Sequence, residues 1–139
     1  MKRLTSVVLL SAAIALAGCG QSKEEKATSQ VCDARADISK QVDDLKGLTL
    51  TTASIAGVKQ NLSAIRTNLG KIKDAQSDLK DQRREQVKAA NEAFGAQVTA
   101  IAQNVVKSRS LSGASTQLKA SFTALGDSYR STLGRIDCS

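Results

Sequence analysis

From Val31 to Ile136 apolar residues recur at spacings of three and four, and the chain contains no proline to interrupt them. Such spacing keeps apolar side chains on one face of a helix. It constrains the fold more than any other feature, because one-sided helices must bury their faces against one another. Residues 31–46 place Val31, Ala34, Ile38, Val42 and Leu45 on one face. Ser29 is the expected N-cap, with Asp33 in the first turn. Gly47 is the expected left-handed C-cap, with Leu48 folding back onto the last turn. Leu48 to Thr52 alternates and is rich in β-branched residues. A lone short strand has no partner here, so an extended connector is expected.

The most regular pattern follows. Ile55, Val58, Leu62, Ile65, Leu69 and Ile72 step 3, 4, 3, 4, 3, and Gln76 and Leu79 continue the register. This is a heptad seam suited to knobs-into-holes packing, within this chain or with a second copy. From Lys73 to Gln86 the pattern fades, holding only Ala75 and Leu79 as apolar residues. It resumes out of step at Val87, Ala90, Phe94, Val98, Ile101 and Val105. Ala93 to Val106 carries no charge, which suits a helix well covered by others. Ser108 to Gly113 is expected to turn. A last helix, about residues 114–136, places Leu118, Phe122, Leu125, Tyr129, Leu133 and Ile136 on one face.

The N-terminus has a different character. Lys2 and Arg3 precede an apolar run from Val7 to Ala17, which ends in Gly18-Cys19. Basic, apolar and small-residue segments in that order are a secretory signal, and the run is too short to span a bilayer. Leu16-Ala17-Gly18-Cys19 resembles the lipobox of bacterial lipoproteins. The resemblance implies removal of residues 1–18 and acylation of Cys19 by a diacylglyceryl group. Stable anchoring needs more than one chain, which that group supplies. It also implies an extracytoplasmic address on a bacterial membrane. With Gly20 rather than Asp after the cysteine, that is the outer membrane where the host has one. Residues 19–30 are expected to form the lipidated end and a flexible tether, since Gly20 to Ser29 holds one Ala and no larger apolar residue. Residues 31–139 are then one helical domain.

Outside the cytoplasm, and with Cys19 consumed by lipid, Cys32 and Cys138 are left to pair as a disulfide. The rival is a pair of free or intermolecular thiols. A disulfide would choose between two all-α architectures. One straight helix over residues 52–107 would be about 84 Å long and would hold the two cysteines roughly 24 Å apart. A break near Lys80–Arg83 instead gives four helices, about 31–46, 53–79, 82–107 and 113–137, in an antiparallel bundle with both cysteines at one pole. The bundle is the expected fold. The alternative is the long central helix with two flanking helices packed back on it.

Chemistry is sparse. With no histidine, the commonest general base and metal ligand is missing. Asp43 and Asp44 are neighbours on a solvated surface, and Asp74 and Asp78 share a face without further ligands. Ser22-Lys23 and Ser39-Lys40 are adjacent in sequence rather than on one helical face. No glycine-rich phosphate loop is present. Three aromatic residues, Phe94, Phe122 and Tyr129, offer little for base or sugar stacking. Loss of Lys2 and Arg3 leaves 18 Lys and Arg against 13 Asp and Glu. Arg83, Arg84 and Lys88, at a tip or hinge, form a candidate patch for an acidic partner.

These readings lead to a non-enzymatic, lipid-anchored cell-envelope protein acting as a structural, adaptor or protein-interaction module. No metal, cofactor or nucleic acid is expected. The membrane itself, an envelope protein or a second copy are the expected partners. The alternative is a small-molecule or lipid carrier with a cavity between helices, for which the sparse aromatics leave few anchors.

Overall fold

A computed structural model describes residues 20–48, 54–107 and 111–138. Its helices are α1 (Lys23–Gly47), α2 (Ser54–Ala75), α3 (Asp81–Lys107) and α4 (Leu111–Ser131). Short 3₁₀ turns, Gln76–Asp78 and Leu133–Arg135, follow α2 and α4. The described residues contain no strand. Helix α1 packs on α2 and α4, and α3 packs on the same two, so the bundle closes in chain order.

One core runs through the bundle, from Ala27 on α1 to Ile136 beyond α4. The heptad seam lies inside it. Val58, Leu62, Ile65, Leu69 and Ile72 are buried and Ile55 packs at the margin, so α1 and α3 of the same chain cover the seam.

Helix α1 begins two turns earlier than the sequence suggests. Residues 23–29, expected in the flexible tether, are helical, and the cap is Ser22 rather than Ser29. The Glu25 N–H donates to Ser22 Oγ at 3.2 Å, and the Ser22 N–H donates to Glu25 Oε2 at 3.1 Å. This reciprocal pair satisfies two of the donors a helix start leaves open. Glu24 and Glu25 also sit favourably at the positive end of the helix dipole. Ala27, four residues before Val31, extends the buried stripe. At the other end, Gly47 has no positive φ. The helix stops instead at an extended Leu48, whose N–H donates to the Leu45 carbonyl at 3.3 Å. Leu48 still packs against the core. The rest of the expected connector, residues 49–52, lies outside the described residues, as do 108–110 of the expected turn. Residues 111–113 of that turn already belong to α4.

Helices α2 and α3 are separate, which excludes the long central helix. The break lies at residues 76–80, just before the expected Lys80–Arg83, and uses neither Pro nor Gly. The 3₁₀ turn tightens the end of α2, Leu79 is extended (φ −84°, ψ 152°), and its side chain is buried. Pulling Leu79 into the core gives up a few helical hydrogen bonds in exchange for buried apolar area.

The uncharged stretch of α3 is not well covered. Phe94, Val98, Ile101 and Val105 are buried, but Ala93, Ala96, Ala100 and Asn104 are exposed, and Val106 is 73% exposed. A missing charge is thus no guide to burial here: small and amide side chains form the outer surface. The core register of α3 runs Val87, Asn91, Phe94, with Asn91 buried where Ala90, only half-buried, was expected.

Candidate functional site

The pole at the start of α1 gathers most of the polar side chains that make long-range contacts. Helix α4 ends at Ser131, short of the expected helical run. Thr132 leaves helical geometry, and Leu133–Arg135 turn the chain sharply back. Gly134 permits this turn, since a Cβ there would lie 3.1 Å from the Tyr129 carbonyl oxygen. The tail then lies along α1, and Cys138 meets Cys32 in a disulfide with Cα atoms 5.7 Å apart, 106 residues apart in sequence.

Two arginines strap that tail down, and a tyrosine braces α4 against α1 beside them. Arg83, at the start of α3, donates from Nη1 to Thr28 Oγ1 and from Nη2 to the Asp137 carbonyl, both at 3.1 Å. It thereby ties α1, α3 and the tail together. Arg35 Nη1 donates to the Ile136 carbonyl. Tyr129 donates from its hydroxyl to the Arg35 carbonyl at 3.2 Å, while its ring meets Phe94 edge-on at 6.0 Å. Beside the disulfide opens a cleft of about 720 Å³ whose walls include Glu24, Thr28, Cys32, Lys80, Arg83 and Cys138. Lys80 Nζ pairs with Glu24 Oε2 across it at 3.2 Å. The cleft mixes both charges, and its cysteines are bonded to each other, so it presents no free thiol nucleophile.

Arg84 has a different task. Its Nε donates to the Gln76 carbonyl at 3.2 Å, and its Nη2 to the carbonyls of Ser77 at 3.3 Å and Leu79 at 2.9 Å. A paired contact with Asp81 at 3.3 Å holds the guanidinium in place. Carbonyls at a helix C-terminus lack intrahelical donors and carry the negative end of the dipole, so a planar cation suits them. The expected patch of Arg83, Arg84 and Lys88 is therefore divided. The first two are half-buried and committed to hydrogen bonds that hold the fold, and Lys88 is the exposed one of the three. Cys19 lies outside the described residues.

Sequence reasoning missed Arg35, Tyr129, Asn68 and Asn91 as structural polar groups. Asn68 on α2 donates to Gln41 Oε1 of α1 at 3.4 Å, and Asn91 on α3 donates to the Leu69 carbonyl of α2 at 3.3 Å. The side-chain oxygens of both lack a hydrogen-bond partner among the described residues. Spacing offered a signal for the two asparagines: Asn91 sits four residues after Val87 and three before Phe94, and Asn68 three after Ile65 and four before Ile72.

Among the described residues no group of three or more His, Cys, Asp or Glu side chains converges on a metal site, and no helix is long and apolar enough to cross a membrane. Comparison of the chain with protein-family models, with curated proteins and with solved structures finds no match.

Proposed function

We propose that this chain is a lipid-anchored, extracytoplasmic helical module that acts by interaction rather than by catalysis. The observation that carries the reading is Leu16-Ala17-Gly18-Cys19 at the end of a secretory signal. The Cys32–Cys138 disulfide supports it, because that bond accounts for both remaining cysteines and suits an oxidising compartment. The folded unit begins close behind the anchor, since only Gly20 to Ser22 separate Cys19 from α1. A rigid bundle therefore stands near the bilayer rather than swinging on a long tether. Its partner is an envelope component within that short reach, on the outer membrane in a two-membrane host.

No observation favours the carrier reading. The recess that reaches inward between Val31, Leu79, Val87 and Ile136 has no room for a water molecule. The test is the full chain expressed in a bacterial host, with Cys19→Ser beside it. The wild type is expected in the detergent phase as a mature protein beginning at an acylated Cys19. The variant is expected as an unprocessed precursor. Mature-sized, detergent-partitioning Cys19→Ser protein would overturn the reading.

A further inference from the structure

Acidic residues are confined to three stretches of the chain beyond the signal: 24–44, 74–92 and 127–137. Residues 45–73 contain Lys46, Lys59, Arg66, Lys71 and Lys73 and no acid, and residues 93–126 contain Lys107, Arg109 and Lys119 and no acid. The fold turns this linear segregation into a surface. Six of the 13 acids lie on α1, whereas four of the five charged residues of α2 are cationic, the exception being Asp74.

Lys59, Ser63, Arg66, Gly70 and Lys73 follow each other at spacings of four and three, so they form one stripe along α2. All five are exposed. The stripe is about 21 Å long at 1.5 Å per residue. Its cations make no ion pair among the described residues. Arg66 borders a shallow, nearly all-apolar groove against α3, completed by Ala102, Gln103, Val106 and Lys107. Among the described residues Val106 is the large apolar side chain left exposed. Lys88 lies 18 residues before Val106, five full helical turns, and so shares its side of α3. The α2/α3 face thus presents a row of α2 cations without ion pairs among the described residues, with Lys88 beyond them, around one protruding apolar residue; exposed Glu92, 14 residues before Val106, is an acid on the same side of α3.

We propose that this face docks on an anionic phospholipid bilayer. Charge complementarity selects that occupant. The cations are strung along a line parallel to the bundle axis, as contact with an extended surface requires, rather than converging on one point. Each lysine or arginine held near an anionic surface raises partitioning roughly fivefold. Val106 enters the interfacial layer while the longer cationic side chains reach the headgroups. A short anchor holds the face at high effective concentration beside the membrane, so modest intrinsic affinity suffices to lay the bundle down. The proposal rests on the lipid-anchored reading only for that proximity.

The test uses residues 20–139 in oxidised form, without the anchor. That polypeptide retains every core residue among the described ones and the disulfide, so it keeps the described contacts that build the bundle. Its sedimentation is compared with vesicles of phosphatidylcholine alone and with an equimolar mixture with phosphatidylglycerol. Binding to the anionic vesicles is expected to be at least roughly tenfold stronger and to fall as salt rises. The triple variant Lys59→Glu, Arg66→Glu, Lys73→Glu abolishes it. Lys26→Glu, Lys46→Glu, Lys119→Glu, with the same change in net charge on α1 and α4, largely retains it. Neutral Gln replacements at 59, 66 and 73 serve as a second set should the reversed triple fail to fold. The chain has no tryptophan. Val106→Trp therefore gives a single tryptophan, whose selectively excited emission is expected to be quenched by brominated acyl chains in anionic vesicles only. Equal binding to neutral vesicles overturns the proposal, as does equal loss in the two triples. So does binding to an acidic amphipathic peptide with none to vesicles, which would give the face to a protein partner. Since the tested polypeptide lacks Cys19, any of these failures leaves the anchor reading standing.

Discussion

Arg84 donates to three carbonyls around the α2–α3 turn while its own neighbour Asp81 holds the guanidinium flat. A turn with neither Pro nor Gly needs some other reason to stay bent, and this fork supplies one. Hydrogen bonds from a charged donor contribute about 1.5–3 kcal/mol when well placed. The Arg84 side chain is 40% exposed, so water compensates part of that loss. Arg84→Met is accordingly expected to destabilise the bundle by about 2 kcal/mol, read as a lowered urea midpoint. Arg84→Lys should recover less than half, because an ammonium is a point charge and cannot fork toward three separate oxygens. Full recovery by Lys would show that the dipole, not the geometry, matters here. The two buried asparagines make the opposite point about single residues. Each spends one donor on a neighbouring helix and leaves an oxygen without a partner among the described residues. Such groups cost stability but resist alternative helix registers.

At the level of elements, the limits of sequence reading fall where local composition and packing disagree. The stripes of α2 and α4 were legible because their apolar residues are large and evenly spaced. The start of α1 was not, because residues 20–29 offer only Ala27 as an apolar residue. A small side chain at the right phase is enough once Val31 and Ala34 have set the face. The cap that starts the helix was readable as Ser22 followed three residues later by Glu25, but polar composition around it masked the signal. The tail strap could not be foreseen, since Arg35 and Arg83 are brought to the tail only by the fold. The start of α1 depends on its cap, as its first two turns bury little beyond Ala27. Ser22→Ala is expected to cost about 1 kcal/mol of helix stability. The loss should appear as fraying of residues 23–29 in amide exchange, with α2 and α3 protected as before. Uniformly faster exchange across the whole bundle would mean that the cap supports the fold globally.

For the molecule as a whole, the Cys32–Cys138 bond encloses nearly all of the folded chain, its ends being 106 positions apart in sequence. It acts mainly on the unfolded ensemble, since closing a loop on the order of 100 residues removes chain entropy equivalent to about 4.7 kcal/mol. The folded state has its own means of holding the same ends. Arg83 bonds to Asp137, Arg35 bonds to Ile136, and Leu133 and Ile136 are buried. The double variant Cys32→Ser, Cys138→Ser should therefore keep its helical content and tail contacts while losing several kcal/mol of stability. Domains of this kind are stable by about 5–15 kcal/mol, so that loss takes a large share of the total. Two signs separate this account from a local one. The urea dependence should steepen, because a chain without the crosslink exposes more surface on unfolding. The circular dichroism of the folded variant should match that of the oxidised wild type. If instead the variant loses helical signal before any denaturant is added, the straps alone do not hold the pole. The disulfide would then be a condition for folding, and the bundle would form only where the chain is oxidised.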